Sequence, residues 1–310
     1  MTHLAAYLAQ HTLPEAERDI VLALARAGKY VNAAVRLRDT FKDGSANASG
    51  DTQSSLDITS DAIFVERLTD SGVVRTIGSE ERDELVTCAN ARADYFVAFD
   101  PYDGGSVGDA NITFGSIVGV WADNPLGAPD GIGTQLRVAL TILYGPRVTL
   151  LLALPDAQGV ALFELDEVGE FLLIRDGITI DKHSTYFAPG NLKACATSPA
   201  YRALVDHWIT GGSKLRYAGA LVTDVGHIIL KGGGIFAYPA DSNYPQGRLR
   251  LLYEGAPLAH MLARAGGIGV TTDGTPLLDV VATAPHQRTT LLLGSLENVR
   301  TALDVLHTDR

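Results

Sequence analysis

The side chains best suited to chemistry in this chain gather in Phe99-Asp100-Pro101-Tyr102-Asp103-Gly104-Gly105-Ser106. Asp100 and Asp103 offer hard oxygens to a divalent cation, and the glycines after them let backbone N–H groups approach an anion closely. The apolar run Tyr95 to Phe99 reads as a buried strand, and Pro101, with no N–H to give to a ladder, is expected to end it. A strand end that sets metal oxygens beside a phosphate cradle suits metal-assisted phosphoryl chemistry. Taken by itself the octapeptide fits a strand-capping turn equally well. Its company shifts the balance: Ser79-Glu80-Glu81 upstream, and Leu249-Arg250-Leu251-Leu252-Tyr253-Glu254 far downstream.

Positioning such a site takes a substantial scaffold, and 310 residues suffice for two domains or one large α/β unit. The 46% apolar fraction is ordinary for a globular protein. A net charge of −11 with no Lys/Arg-rich run argues against a nucleic-acid surface, and no apolar run reaches membrane-spanning length. Cys88 and Cys195 are too few and too far apart for a disulfide framework or a cysteine zinc site. With no secretory signal pattern at the N-terminus, a cytoplasmic protein with reduced thiols is expected.

Along the chain, residues 15–38 read as an amphipathic helix with Ile20, Leu22, Leu24, Val31 and Val35 on one face. Ser45 to Ser60 has the small, polar composition of a mobile loop entering a helix at Ser60 or Asp61. Glu80 and Glu81 close a strand-like run from Val73 to Ile77, so their side chains are expected on opposite faces. Arg82-Asp83-Glu84 then reads as a solvated face. Asn111–Trp121 and Leu143–Leu154 read as strands with helix-compatible connections between them. Val160–Arg175 reads as a hairpin turning near Glu167–Gly169, and Pro199–Ile209 as a helix. Arg250 and Glu254, four apart on one expected strand, would share a face.

In order and content these motifs resemble the class I fructose-1,6-bisphosphatase and sedoheptulose-1,7-bisphosphatase family. The resemblance rests on Ser79-Glu80-Glu81, Asp100 to Ser106, Pro189-Gly190-Asn191-Leu192, Arg216-Tyr217, Gly234 to Pro239 and Arg248 to Glu254, and spans about Ser45 to Ser295. It implies a layered α-β-α-β-α fold of two fused domains with mixed sheets: residues 1–180 for metal and catalysis, residues 181–310 for the sugar phosphate. It implies Mg²⁺, or Mn²⁺, held by Glu80, Asp100, Asp103, Glu254 and the Tyr102 carbonyl, an oxygen-only set that disfavours zinc. Asp57 and Glu81 would activate water, Asp51 would match a second acid of the loop, and Arg250 would orient the loop acids. Asp103, Gly104, Gly105 and Ser106 would hold the scissile phosphate. Asn191, Tyr217, Tyr238 and Arg248 would take the distal phosphate, with Arg216 reaching a neighbouring subunit's site in a homodimer or homotetramer. Isolated tyrosines or arginines would read as structural; placement in the motifs makes these site candidates, whereas His286 is given no role.

The implied activity is Mg²⁺-dependent hydrolysis of the 1-phosphate of fructose 1,6-bisphosphate. Sedoheptulose 1,7-bisphosphate is the alternative, because Pro189 to Ala194, Tyr144 to Arg147 and the Asp109–Trp121 strand resemble that branch. Tyr238-Pro239-Ala240 and His286-Gln287-Arg288 resemble the fructose branch. An inositol or nucleotide phosphatase shares the acid core, but a monophosphate has no second phosphate for the distal residues. A catalytically silent subunit would not need the intact acids. Two departures stand out. Gly105 replaces the first serine of the family's loop. The Gly-Glu-Met-Thr turn of the AMP site is missing too, with Asp94 where a basic residue would precede Tyr95 and Ala122 where an arginine would follow Trp121, so no AMP inhibition is expected.

Overall fold

The computed structural model describes residues 1–36, 42–46, 52–108 and 110–308. The larger sheet has eight strands, in the spatial order Phe171–Ile178, Val160–Leu165, Val148–Ala153, Leu136–Tyr144, Phe114–Trp121, Tyr95–Asp103, Val74–Ser79 and Val86–Thr87. Neighbours are antiparallel except Val74–Ser79 and Tyr95–Asp103, which run parallel with Ser79 opposite Phe99. That one parallel pairing does the positioning: the next residues along, Glu80 and Asp100, lie side by side just past the paired run, Glu80 in a turn and Asp100 still within its own strand. A second, mixed sheet orders Lys214–Leu215, Tyr186–Pro189, Ile235–Tyr238, Leu291–Gly294 and Ile268–Val270.

Side-chain alternation on the strands fills three apolar layers. Val97 and Phe99 face the helices Glu15–Val35 and Ser55–Asp70, with Phe64 against Phe99 at 5.0 Å between ring centroids. Phe96 and Ala98 face the other way, onto the helices Leu221–Leu230 and Ala256–Arg264, which are shared with Phe236, Leu291 and Leu293 of the second sheet. Phe187, Ile235 and Leu292 on that sheet's far side pack against the helices Pro199–Thr210 and Leu296–His307. The result is the layered α-β-α-β-α arrangement. Among the described residues, no helix is long and apolar enough to cross a membrane. Cys88 and Cys195 are both free thiols.

Several local expectations are corrected. Pro101 does not end its strand, which continues to Asp103; the register shifts between Asp100 and Asp103, so the missing N–H falls at an irregularity. The run Leu143–Leu154 is not one strand: it holds the end of Leu136–Tyr144, a turn and the antiparallel strand Val148–Ala153, and the start of Leu136–Tyr144 occupies what read as helix-compatible connection. Leu22 is exposed, because it sits two residues from Ile20 and Leu24 on the helix while the buried stripe runs Ile20, Leu24, Ala27, Val31. The helix expected at Ser60 begins at Ser55, which brings Asp57 into its first turn. Asp51 lies outside the described residues, as does Asp109.

Candidate active site

Three buried carboxylates, Glu80, Asp100 and Glu254, place one oxygen each within 4.8 Å of one another. Glu80 comes from a turn just past Ser79 and not from the strand itself, so strand alternation does not apply, and Glu80 and Glu81 both line one cavity of about 500 Å³. Glu254 arrives by a different route from the one expected. The strand stops at Arg250, and Leu251–Gly255 forms a π-helical turn leading into Ala256–Arg264. Arg250 and Glu254 meet because the Arg250 N–H donates to Glu254 Oε2 at 2.6 Å, with the turn folding one back on the other. The Arg250 guanidinium in turn pairs with Glu80 Oε1 at 2.9 Å, fully inside the protein.

The acids stand in electrostatic conflict. Burial, then the charges of Glu80, Asp103 and Glu254, push the Asp100 carboxyl well above the usual carboxylate range. Burial lifts Asp103 to about 7, opposed by the Val222 N–H it accepts at 2.6 Å and reinforced by Glu80. Burial and then Glu80 lift Glu254 to about 8, with Arg250 pulling the other way. Such a set of hard oxygens, crowded and short of positive charge, fits a divalent cation of the Mg²⁺ or Mn²⁺ type. Asp103 lies outside the close trio, since one of its oxygens caps the helix Leu221–Leu230.

Gly104 to Ser106 line the cavity. Gly104 has φ +102°, and a Cβ there would lie 2.6 Å from the Ala220 Cβ, so only glycine fits. At Gly105 the nearest atom to an added Cβ is 3.5 Å away, ordinary contact, so the position accepts a side chain. The Tyr102 N–H donates to Asp100 Oδ1 at 2.9 Å, locking the loop against the acid. Gly105 and Ser106 open the short helical turn Gly105–Gly108, where N–H groups have no intrahelical partner.

Tyr217, Tyr238 and Arg248 line the same cavity, with Tyr238 hydrogen-bonded to Arg248. Asp57 also lines the cavity, next to Gly105. Two expected substrate residues lie outside it. The Asn191 side chain donates to the Pro239 carbonyl at 3.1 Å and to Asp241 at 2.9 Å. Arg216 lies over the Tyr186 ring and donates to the Leu215 carbonyl. Asp224, which sequence reasoning missed, lines the cavity and is buried; its Oδ1 accepts from the Ala218 N–H at 2.6 Å, while Oδ2 has no hydrogen-bond partner among the described residues. Nothing in its local sequence marks it, because it is a single acid in the first turn of a largely apolar helix.

Comparison with known proteins accounts for nearly the whole chain. Residues 9–176 match the family model described as fructose-1-6-bisphosphatase, N-terminal domain, and residues 180–307 the one described as its C-terminal domain. A class 1 fructose-1,6-bisphosphatase of Geobacter sulfurreducens is 39% identical over 290 residues, 93% of this chain and 90% of that one. Its Citrifermentans bemidjiense counterpart is 38% identical over 284 residues, 91% and 85% respectively. The holo crystal structure of Leishmania major fructose-1,6-bisphosphatase superposes with a TM-score of 0.90 at 31% identity, covering 100% of this chain and 99% of that one. A Toxoplasma gondii protein provisionally named sedoheptulose-1,7-bisphosphatase reaches the same TM-score, 0.90, at 27% identity and 99% coverage of both chains.

Proposed function

The chain belongs to the fructose-1,6-bisphosphatase family, and from that premise we propose that it hydrolyses the 1-phosphate of fructose 1,6-bisphosphate in a Mg²⁺-dependent reaction. The observation that carries the reading is the convergence of Glu80, Asp100 and Glu254 in a cavity that two tyrosines and an arginine also line. Glu80, Asp100, Glu254, the Asp103 carboxylate and the Tyr102 carbonyl would hold the cation. Bound there, it supplies Lewis-acid charge neutralisation at the phosphoryl group and at the departing alkoxide.

The chain's own groups do the rest. The N–H groups at Gly105 and Ser106 receive the equatorial phosphate oxygens, and Tyr217, Tyr238 and Arg248 receive the distal phosphate, so the substrate spans the cavity. Arg248 offers a planar fork there, where a lysine would offer a point charge. Water attacks phosphorus as the bond to the sugar oxygen breaks, and the Asp57–Glu81 side takes the water's proton. Arg250, locked to Glu80, keeps that carboxylate aimed inward. We assign water and metal chemistry mainly to residues 1–180 and sugar-phosphate binding to 181–310, with Glu254 crossing that division. Arg216, outside its own chain's cavity, is left to complete a neighbour's site in a homo-oligomer, and the protein is placed in the cytoplasm.

Sedoheptulose 1,7-bisphosphate is the second reading, favoured by the likeness to the Toxoplasma protein. Mg²⁺-dependent phosphate release measured in parallel on fructose 1,6-bisphosphate, sedoheptulose 1,7-bisphosphate and inositol monophosphate separates the options. The fructose reading expects the first to have the highest kcat/KM; activity on the monophosphate alone would overturn both bisphosphate readings.

The loop glycines give a paired test. Gly104→Ala should destabilise the fold by roughly 1–3 kcal/mol through backbone strain and the clash with Ala220. Gly105→Ser should leave stability within about 0.5 kcal/mol and either leave KM unchanged or lower it by up to roughly fivefold, about 1 kcal/mol for one added hydroxyl contact. Denaturant unfolding and steady-state kinetics read both; loss of turnover in Gly105→Ser would show that the cradle is built differently. AMP is expected to leave the rate unchanged. Asp94 is paired with Arg75 at 3.2 Å, and the Tyr95 hydroxyl donates to the buried Glu17, so neither is held for a nucleotide. Strong inhibition in initial-rate assays with added AMP would contradict this.

A further inference from the structure

We propose that Arg82 is a positioning residue which, with Asp61 and His286, ties together three of the segments that carry the acids of the candidate active site. This rests on the metal-site reading above. The segments are the helix Ser55–Asp70 with Asp57, the turn after Ser79 with Glu80 and Glu81, and the π-helical turn Leu251–Gly255 with Glu254. No sequence motif assigns Arg82 a task, and its sequence context reads as a solvated face.

The geometry says otherwise. Arg82 Nε lies 3.1 and 2.8 Å from the two oxygens of Asp61, and a terminal nitrogen lies 2.6 Å from Oδ2. Asp61 stands one helical turn beyond Asp57, so this fork fastens the Glu80–Glu81 turn to the helix that presents Asp57. An exposed ion pair would contribute little. Here the Arg82 side chain is 38% exposed but that of Asp61 only 8%, so Asp61 without its arginine becomes a buried carboxylate with its main counter-charge gone. The main chain of Arg82 is fastened as well: its N–H donates to the Ser79 carbonyl at 3.2 Å, closing the turn.

The link to the third segment runs through the Arg82 carbonyl, 2.8 Å from His286 Nε2. A carbonyl only accepts, so Nε2 carries the hydrogen, and Nδ1, buried, has no hydrogen-bond partner among the described residues. The imidazole packs on the Tyr253 ring at 5.1 Å between centroids, one residue before Glu254. Its chain is anchored to the same segment: Gln287 accepts from the Leu251 N–H at 2.9 Å, and Arg288 pairs with Arg250 across a two-stranded ladder. Loosening Arg82 therefore removes one of the ties on the Glu80 turn and leaves it held by the Glu80 N–H to the Phe99 carbonyl at 3.1 Å and by Arg250, without touching Glu80, Asp100 or Glu254 themselves.

The test is Mn²⁺ binding to the full chain without sugar, followed by calorimetry and by the electron paramagnetic resonance signal of free Mn²⁺. Arg82→Gln is expected to weaken Mn²⁺ about tenfold, the usual cost of losing a group that orients a metal ligand. Arg82→Lys, which keeps the charge but loses the fork, should weaken it about threefold. Arg82→Gln combined with Asp61→Asn should be no weaker than the worse single variant, because the pair acts as one unit. KM for the sugar bisphosphate at saturating metal should change by less than about twofold, which a general loosening of the fold would not spare. Should Arg82→Gln fail to fold, His286→Asn leaves the ion pair intact and should still weaken Mn²⁺ about threefold. Folded Arg82→Gln and His286→Asn proteins that bind Mn²⁺ as the unmodified protein does would overturn the inference, as would additive losses in the double variant. A parent protein that binds Mn²⁺ yet hydrolyses no sugar bisphosphate would refute the activity and leave this inference standing.

Discussion

Asp100→Asn is expected to lower kcat about 10³-fold, roughly 4 kcal/mol of barrier, while raising the unfolding temperature of the metal-free protein. Both effects have one cause. Asp100 lies buried among three other acids whose charges raise its affinity for a proton, so without a cation the folded state carries a repulsion that an amide abolishes. The substitution is nearly isosteric. The carbonyl of the new amide can still accept the Tyr102 N–H, now bound to Asp100 Oδ1 at 2.9 Å, and its NH₂ can donate to Glu80. Each kcal/mol of repulsion relieved should raise the midpoint by about 2–4 °C for a chain of this size. Calorimetry in chelator and steady-state rates in Mg²⁺ measure the pair. A variant that loses both stability and activity would mean that Asp100 serves the fold and not the cation.

The second large effect is a dependence of metal-free stability on pH that runs opposite to the common pattern for carboxylates. Burial and mutual repulsion raise Asp103 to about 7 and Glu254 to about 8, whereas in the unfolded chain both release their protons near the ordinary values of about 4. Between those limits the folded state holds protons that the unfolded state has lost. Stability is therefore fully present below about pH 4 for these groups, falls as pH rises toward 7–8, and levels off above the folded values. Divalent metal should reverse the trend, because it binds the ionised carboxylates and its affinity rises with pH. Thermal unfolding from pH 5 to 9 with chelator and with Mg²⁺ should give curves that diverge as pH rises. Parallel curves would show that the acids are not the cation's ligands. Glu254→Gln should flatten the metal-free curve, since it removes the group lifted to about 8.

Much of this site could be read from the chain before its structure. The Asp100–Ser106 loop, the acids after Ser79 and the Arg250–Glu254 segment stand out because their residue types are costly to bury and unusual together. What escaped reading was the route by which they meet. Glu80 and Asp100 are neighbours because two strands run parallel with Ser79 opposite Phe99, a register that local periodicity does not encode. Arg250 and Glu254 share the site through a π-helical turn, not through the common strand face that their four-residue spacing predicts. Pro101 misled because its missing N–H is tolerated where the ladder is already irregular. Asp224 and Arg82 were passed over for a common reason: an acid inside an apolar helix and a basic residue among acids look ordinary until burial and a partner are known.

The central claim is that Glu80, Asp100 and Glu254 converge to hold the cation on which sugar-bisphosphate hydrolysis depends. Its most direct measurement is phosphate release from fructose 1,6-bisphosphate by the purified protein across a Mg²⁺ titration, with chelator as the zero point and the sugar product identified. The account expects release that saturates with Mg²⁺, vanishes in chelator and yields fructose 6-phosphate in equal amount to phosphate. Release that persists undiminished in chelator, or a protein that binds Mg²⁺ and leaves the bisphosphate intact, would contradict it.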